Sequence, residues 1–334
     1  MKLHFIIALS FILFHGIAIG NNSKLSDSTS EIPVVQTDSS YCVIIEYDIV
    51  YAKGLSHESI NSSNTVEMPL KLDVYTPDND IKNRPAFVFV HGGGFAGGTK
   101  QQRQIIEWAN YFTSRGWVFI SIDYRLRKHK GTVPQNWFDY TSYTPKNKRA
   151  QFLAVYPAIR DAKAALRWVV ANANTYHINL QYLSVGGGSA GAIAAIGMGV
   201  SNPEDYRDEL SIEQDPTLTS TNLEQEYEVR TIINLWGSKI AIDALEEVFG
   251  KQRFDSKDPS LFITHGTEDP TVPFSKAEAL KAIYEANGVS LAYYPLKGKR
   301  HGAWGAKAKG IPLKKLALDF IVEQQKLLLN KGKI

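Results

Sequence analysis

The stretch SVGGGSAGA at positions 184–192 decides the fold of this chain. The residues 182–185 predict a strand, and the small and apolar residues 192–200 predict a helix packed closely on a sheet. Between them lies the pattern G-x-S-x-G, in which a serine stands at the tip of a sharp strand-to-helix turn. A flexible glycine-rich turn is the alternative interpretation. A reactive Ser189 is therefore expected only if its chemical partners occur elsewhere in the chain.

A second glycine run, HGGGF at 91–95, follows a continuous apolar stretch at 85–90 that predicts a buried strand. Consecutive glycines allow backbone N–H groups to face a cavity without an intervening Cβ atom. Acyl transfer needs such donors, because its tetrahedral intermediate concentrates negative charge on one oxygen. We predict that the N–H groups of Gly93, Gly94 and Ala190 form this oxyanion hole, with a simple tight turn as the alternative.

A serine hydroxyl also needs a base that accepts its proton. His301 lies in the glycine-bearing loop 298–304, directly after the last predicted strand, and we expect it to be that base. His265 ends an apolar strand, so we expect it to be packed or hydrogen-bonded instead.

The histidine must in turn be oriented by a carboxylate. Asp269 follows a strand end and is flanked by prolines in HGTEDPTVP at 265–273. Glu268 is the competing carboxylate, and a solvated turn is the remaining alternative. The chain order Ser189, Asp269, His301 is the order expected of an α/β-hydrolase rather than of other serine hydrolases.

Strands alternate with helices along most of the chain, which predicts an α/β fold with a mostly parallel central sheet and helices on both faces. The strands are expected at 43–51, 70–75, 85–90, 117–122, 182–185, 231–236, 261–265 and 291–294, the first two as an antiparallel pair. The helices are expected at 102–114, 156–174, 192–200, 275–287 and 312–329. Two segments break the alternation, 127–149 and 202–228, and are predicted to be small insertions above the active site.

These motifs resemble the α/β-hydrolase superfamily, in particular secreted bacterial esterases of the carboxylesterase and hormone-sensitive-lipase-like type. The resemblance runs from about residue 70 to about residue 320 and also includes SIDYRL at 121–126. It implies that Asp123, Arg125 and Asp161 are structural and brace the loops around the serine. The aromatic segment 135–143 is not part of the shared pattern, so substrate specificity stays open.

The resemblance and the motifs together predict a serine carboxylic-ester hydrolase that acts through an acyl-enzyme, without a metal or organic cofactor. A carbohydrate esterase that removes acetyl or feruloyl groups from plant polysaccharide is the alternative substrate class. A non-catalytic binding protein on the same fold is a second alternative, although such a protein usually lacks one of the three catalytic side chains.

Four aromatic residues are candidates for the substrate pocket: Trp137, Phe138, Trp236 and Trp304. The first two belong to the segment 127–149, which we expect to form a substrate-facing flap because connections of this length are usually functional or disordered. Packing of these aromatics onto the body of the protein is the alternative.

The chain has 334 residues and a net charge of +3, which is too small to argue for binding to nucleic acid or to an anionic membrane surface. Its charged start and apolar run, ending in AIG at 18–20, predict a signal peptide over 1–20, with an uncleaved membrane anchor as the alternative. A flexible linker is expected over 21–40 and the catalytic domain over 41–334. The expected protein is secreted or periplasmic, with no stable membrane insertion after the leader is removed.

Overall fold

A computed structural model describes residues 31–330 of the chain. Its strands are β1 (Val34–Gln36), β2 (Val43–His57), β3 (Thr65–Pro77), β4 (Arg84–Val90), β5 (Val118–Ile122), β6 (Ile178–Gly188), β7 (Thr231–Leu235), β8 (Ser260–Gly266), β9 (Leu291–Leu296), β10 (Lys307–Ala308), β11 (Ile311–Pro312) and β12 (Leu328–Asn330). Its α-helices are α1 (Arg103–Thr113), α2 (Gln135–Ser142), α3 (Lys146–Ala171), α4 (Ala190–Val200), α5 (Ile240–Phe249), α6 (Ser275–Ala286) and α7 (Leu313–Gln325). Two short 3₁₀ turns cover Arg127–His129 and Pro216–Ser220.

The central sheet has eight strands in the order β2-β3-β5-β4-β6-β7-β8-β9. β3 pairs antiparallel with β2 and with β5, and every other neighbouring pair of this sheet is parallel. The predicted mostly parallel α/β sheet is therefore confirmed, and so is the antiparallel pair at its start. Parallel strands place their carboxyl ends along one edge of the sheet, which is where sites in such folds lie.

Helices cover both faces of the sheet, because strands with two apolar faces must be shielded from water on each side. β4, β5 and β7 are buried along their whole length. Side chains of α3, α4, α5 and α6 belong to the hydrophobic cluster on one face. Those of α1 and α7 belong to the cluster on the other face. None of the helices between residues 31 and 330 has the combination of length and apolar character that a membrane crossing requires.

Two predicted segment boundaries differ from the structure, and a third predicted segment lies outside the described residues. The predicted signal peptide, 1–20, lies outside the described residues. The predicted linker, 21–40, extends too far, because Val34–Gln36 is a strand that pairs in parallel with Leu328–Asn330, and Val35 is fully buried. Residues 32–330 belong to one compact unit. The helix predicted at 156–174 begins ten residues earlier, at Lys146, and continues through Pro157.

Buried charges connect the two irregular segments to the body of the protein. Arg125 makes a bidentate pair with Asp161 of α3, with Nη2–Oδ1 at 2.6 Å and Nε–Oδ2 at 2.9 Å. Asp215, from the acidic segment 202–228, pairs with Arg160 of α3 and lies 3.7 Å from Arg125. It also accepts a hydrogen bond of 2.9 Å from Thr132 of the segment 127–149. Both segments are therefore tied to α3 rather than free above the sheet.

The fold depends on a close approach of backbones around residues 184–192. A Cβ atom on Gly191 would lie 2.0 Å from the carbonyl oxygen of Val90, and one on Gly187 would lie 2.4 Å from the carbonyl carbon of Gly191. Both neighbours are backbone atoms, which cannot rotate away as a side chain can. The glycines of the G-x-S-x-G pattern are thus required by the packing of α4 onto β4 and β6.

We predict that Gly191→Ala lowers the free energy of unfolding by about 3 kcal/mol or more, because the clash can be relieved only by moving α4 or β4. Gly97→Ala is the matched control, since a Cβ there meets nothing within 4 Å. It should change stability by less than about 0.5 kcal/mol. Urea unfolding measures both. Equal stability of the two variants would contradict the packing argument.

A second prediction concerns acid stability. Burial by itself raises the pKa of the Asp215 carboxyl, but the charges of Arg160 and Arg125 outweigh burial and lower the pKa to about 2. An unfolded aspartate titrates near 3.9. The unfolded state therefore binds more protons between about pH 5 and pH 2, and a stabilisation of about 2–3 kcal/mol is lost as the pH falls through that window.

The variant Asp215→Asn should consequently be less stable than the wild type at pH 7, and the difference should shrink towards pH 3. The exposed Asp139, changed to Asn, serves as the control and should show no such trend. Urea midpoints at pH 7, 4 and 3 test this. A difference that stays constant with pH would show that the carboxylate is not stabilised by its arginines.

Candidate active site

Ser189 lies between the end of β6 and the start of α4, with backbone angles φ 57° and ψ −121°. This conformation is unfavourable for any residue with a Cβ atom and costs about 1–3 kcal/mol. Its N–H group donates a 2.9 Å hydrogen bond to the carbonyl of Leu235 at the end of the neighbouring strand β7. The strained turn points the hydroxyl away from the sheet, as the G-x-S-x-G pattern predicts.

The structure brings together the three side chains that the sequence places in order. His301 Nε2 lies 2.8 Å from Ser189 Oγ, and His301 Nδ1 lies 2.7 Å from Asp269 Oδ2. Because a carboxylate only accepts hydrogen bonds, the imidazole carries its proton on Nδ1 when it is neutral. Nε2 is then free to accept the proton of the serine hydroxyl.

Asp269 is held more firmly than its competitor. Its Oδ1 accepts the N–H groups of Thr271 and Val272 at 2.8 and 3.0 Å. Burial opposes ionisation of Asp269, but the hydrogen bonds from His301 and from these two N–H groups lower the pKa of its carboxyl below its usual value. Glu268 is exposed to solvent at the surface of the same turn. The geometry therefore favours Asp269 over Glu268 as the partner of His301.

His265 is a feature of the site that the sequence did not reveal. Its Nε2 lies 2.8 Å from the carbonyl oxygen of Val272 and 3.2 Å from Asp269 Oδ2. Since Nε2 faces two acceptors, it carries the proton, and burial lowers the pKa of the imidazole so that the neutral form is favoured. The sequence predicted only a packed or hydrogen-bonded histidine at this position. The structure adds that His265 is a second donor to Asp269.

The glycine run at 91–95 forms a turn with left-handed backbone angles, φ 120° at Gly93 and φ 62° at Gly94. Ala96 and Gly97 both donate their N–H groups to the carbonyl of Gly93, at 3.0 and 3.1 Å. Within residues 31–330, the N–H groups of Gly93 and Gly94 themselves donate to no protein acceptor. Ala190 is the first residue of α4, so its N–H has no acceptor in the preceding turn of the helix.

A cavity of about 450 Å³ opens onto these groups. Ser189, His301 and the three predicted oxyanion-hole residues all line it. Its apolar wall includes Trp236 and Trp304, which meet edge to face with ring centroids 5.0 Å apart. Gln102 and Gln151 add polar side chains that the sequence analysis did not select. Gln151 was missed because the start of α3 was predicted ten residues too late.

The other two aromatic candidates do not line this cavity. Trp137 is fully buried, donates from Nε1 to the carbonyl of Phe152 at 3.0 Å, and packs against Tyr156 and Tyr206. Phe138 is partly buried in the same cluster, beneath the guanidinium of Arg149. The aromatic part of the expected substrate-facing flap is thus a packed helix, α2, because Trp137 and Phe138 face the core. The packing alternative describes these two residues correctly.

Comparison with known proteins places the chain in a family. The model of the BD-FAE family matches residues 72–144 and 139–247, which together are more than half of the chain. The chain belongs to the BD-FAE family. The matched residues contain the glycine run, Ser189 and Trp236. Asp269 and His301 lie beyond them and are placed in the site by the structure alone.

Sequence relatives of this BD-FAE family member include proteins named as esterases. Esterase LipC of Mycobacterium tuberculosis is 26% identical over 255 residues, which are 69% of this chain and 56% of LipC. Juvenile hormone esterase of Heliothis virescens is 32% identical over 112 residues, 34% of this chain and 17% of that esterase. The chain thus matches little more than half the length of LipC and a smaller part of the insect enzyme.

Solved structures similar to this BD-FAE family member include esterase 2 of the planctomycete Thermogutta terrifontis. The native enzyme superposes with a TM-score of 0.58 at 25% identity, covering 86% of this chain and 95% of the esterase. The same enzyme phosphorylated by paraoxon gives a TM-score of 0.58 at 25% identity, covering 84% and 94%. The fold is therefore that of the α/β-hydrolase esterases.

We predict that Asp269→Asn reduces kcat for a chromogenic acetate ester by roughly 10⁴-fold, because an amide in place of the carboxylate favours the wrong tautomer of His301. Glu268→Gln is the matched control and should stay within about twofold of the wild type, since Glu268 is exposed to solvent. A large loss of kcat in Glu268→Gln together with a small loss in Asp269→Asn would show that Glu268 orients His301.

Proposed function

We propose that this protein is a serine carboxylesterase that hydrolyses short-chain esters through an acyl-enzyme. The observation that carries the proposal is the continuous hydrogen-bonded chain from Asp269 through His301 to Ser189 Oγ. It ends at a cavity that is also lined by Gly93, Gly94 and Ala190. A nucleophile, its base and donors for a developing oxyanion thus surround one space where an ester carbonyl can bind.

The proposed reaction has two halves. Ser189 Oγ attacks the ester carbonyl carbon while its proton passes to His301 Nε2, and Asp269 stabilises the imidazolium that results. The N–H groups of Gly93, Gly94 and Ala190 donate to the oxyanion of the tetrahedral intermediate. The bond between the carbonyl carbon and the alcohol oxygen then breaks, and the alcohol leaves with the proton from His301.

The second half returns the enzyme to its starting state. His301 takes a proton from water as the water oxygen attacks the carbonyl carbon of the acyl-Ser189. The bond between that carbon and Ser189 Oγ breaks, the serine regains its proton from His301, and the carboxylic acid is released. The comparisons support this scheme, since LipC and juvenile hormone esterase are named as esterases and esterase 2 of Thermogutta terrifontis is phosphorylated by paraoxon.

The substrate proposal concerns the acyl group first. Trp304 closes one side of the site, because its ring would meet a Cβ on Gly188 at 2.8 Å. Trp236 lies beside it and is almost fully buried. Two large fixed rings so close to the serine favour small acyl groups. A panel of para-nitrophenyl esters from acetate to decanoate measures this limit, and acetylated xylan and methyl ferulate test the alternative carbohydrate substrates.

Ser189→Ala should reduce ester hydrolysis by roughly 10⁴-fold or more while leaving thermal unfolding unchanged, because it removes only the hydroxyl that forms the acyl bond. Ser290→Ala, at an exposed serine far along the chain, is the control and should retain full activity. A fluorophosphonate should label Ser189 in the wild type, located by mass spectrometry of peptides. Full activity of Ser189→Ala, or labelling of another serine, would refute the assignment.

A further inference from the structure

A second cavity, of about 540 Å³, carries an unusual charge pattern. We call it the basic cavity. Its eleven lining residues include Arg127, Lys128 and Lys130 and the aliphatic Ile60, Leu126 and Leu153. Three of them are cationic and none is a carboxylate. The remaining lining is mostly aliphatic, so the cavity offers an apolar floor beneath positive charges.

The cations of the basic cavity are available to a ligand. Arg127, Lys128 and Lys130 are all exposed to solvent. Within residues 31–330, the side chains of Arg127 and Lys128 form neither an ion pair nor a hydrogen bond with another protein group, and the Lys130 ammonium donates to the backbone carbonyl of Glu58.

We call the cavity of about 450 Å³ beside Ser189 the catalytic cavity. The basic cavity borders it at two segments of the chain. The first is the turn that carries the oxyanion donors: Gly94 lines the catalytic cavity, and Ala96, two residues later, lines the basic cavity. The carbonyl of Phe95 between them accepts the N–H of Arg127 at 2.7 Å. The second segment is the start of α3, where Gln151 faces the catalytic cavity and Ala150 the basic one. Consecutive Cα atoms of a chain are about 3.8 Å apart, so the two cavities are neighbours at both segments.

The two sides of the catalytic serine therefore differ. Trp236 and Trp304 close one side, which suits a small acyl group. The basic cavity instead borders the site near Gly94 and Gln151, neither tryptophan lines it, and its cations are exposed to solvent. The alcohol of an ester departs before deacylation, so it requires the open side. An alcohol with a ring or hydrocarbon stem fits the aliphatic floor, and a carboxylate on that stem fits the exposed Arg127 and Lys128.

We propose that the basic cavity binds a carboxylate on the alcohol portion of the ester, so that the enzyme selects esters of carboxylate-bearing alcohols. This inference rests on the proposed esterase function. Arg127 and Lys128 supply the attraction, and Leu126 and Leu153 contact the stem. Because the cations are exposed, salt screens the attraction, and the selectivity should fall as ionic strength rises.

The test uses two acetate esters that differ only in charge, para-acetoxyphenylpropanoate and its primary amide. The wild type should have the higher kcat/KM for the carboxylate. The double variant Arg127→Gln/Lys128→Gln should reduce the carboxylate-to-amide ratio of kcat/KM by about threefold to tenfold, the range expected for two exposed charge pairs. The control Arg230→Gln/Lys257→Gln removes the same charges at the opposite edge of the sheet and should leave the ratio unchanged.

Binding separates this inference from the esterase proposal. The Ser189→Ala variant, titrated with the same two compounds by calorimetry, should bind the carboxylate more tightly, and adding the Arg127→Gln/Lys128→Gln changes should abolish that difference.

Hydrolysis of both esters with an unchanged carboxylate-to-amide ratio of kcat/KM in the double variant would overturn the inference and leave the esterase proposal intact. Absence of any hydrolysis would refute the esterase, and equal binding by Ser189→Ala would refute the basic cavity separately. A preference for a carboxylate on the acyl group, seen with para-nitrophenyl hemisuccinate against the butyrate, would also overturn it.

Discussion

The contact of α4 with the end of β4 is the constraint on which the rest of the structure depends. Two backbones meet there without side chains between them, because Gly191 lies against the carbonyl of Val90. β4 continues directly into the glycine turn at 91–95, and β6 continues directly into Ser189. The same contact therefore sets the distance between the glycine turn at 91–95 and Ser189. The strain at Ser189 persists because the strands and the helix on either side of it are held by this packing.

Buried ion pairs hold the segments around this contact in place. Asp215 joins the acidic segment 202–228 to Arg160 of α3 and to Thr132 of the segment 127–149. Separating the partners of a buried ion pair leaves an uncompensated buried charge. These pairs therefore restrict how α3 and the two segments can pack together. Through them α3 is held with its first turns beside the serine. The walls of the catalytic cavity and of the basic cavity thus depend on residues far from the chemistry.

Family membership does not decide the substrate, because one fold supports many specificities. The BD-FAE match covers β4 to β7, Ser189 and most of the residues that line the two cavities. In this chain the wall that separates them is built from the oxyanion turn and the beginning of α3. A change in either segment would alter the border between the two cavities.

The sequence by itself determined the parts of this protein that follow from local backbone requirements. Glycines at fixed spacing around Ser189, the HGGG run, and apolar runs alternating with helical periods predicted the α/β sheet and the order of the candidate catalytic residues, because each is a constraint within a few neighbours. Only the tertiary structure decided which face each side chain presents. Trp137 is buried rather than substrate-facing, Val35 is in a strand rather than a linker, and His265 donates to Asp269. Each of these depends on residues distant in the chain, and burial is a property of such neighbours rather than of a sequence pattern.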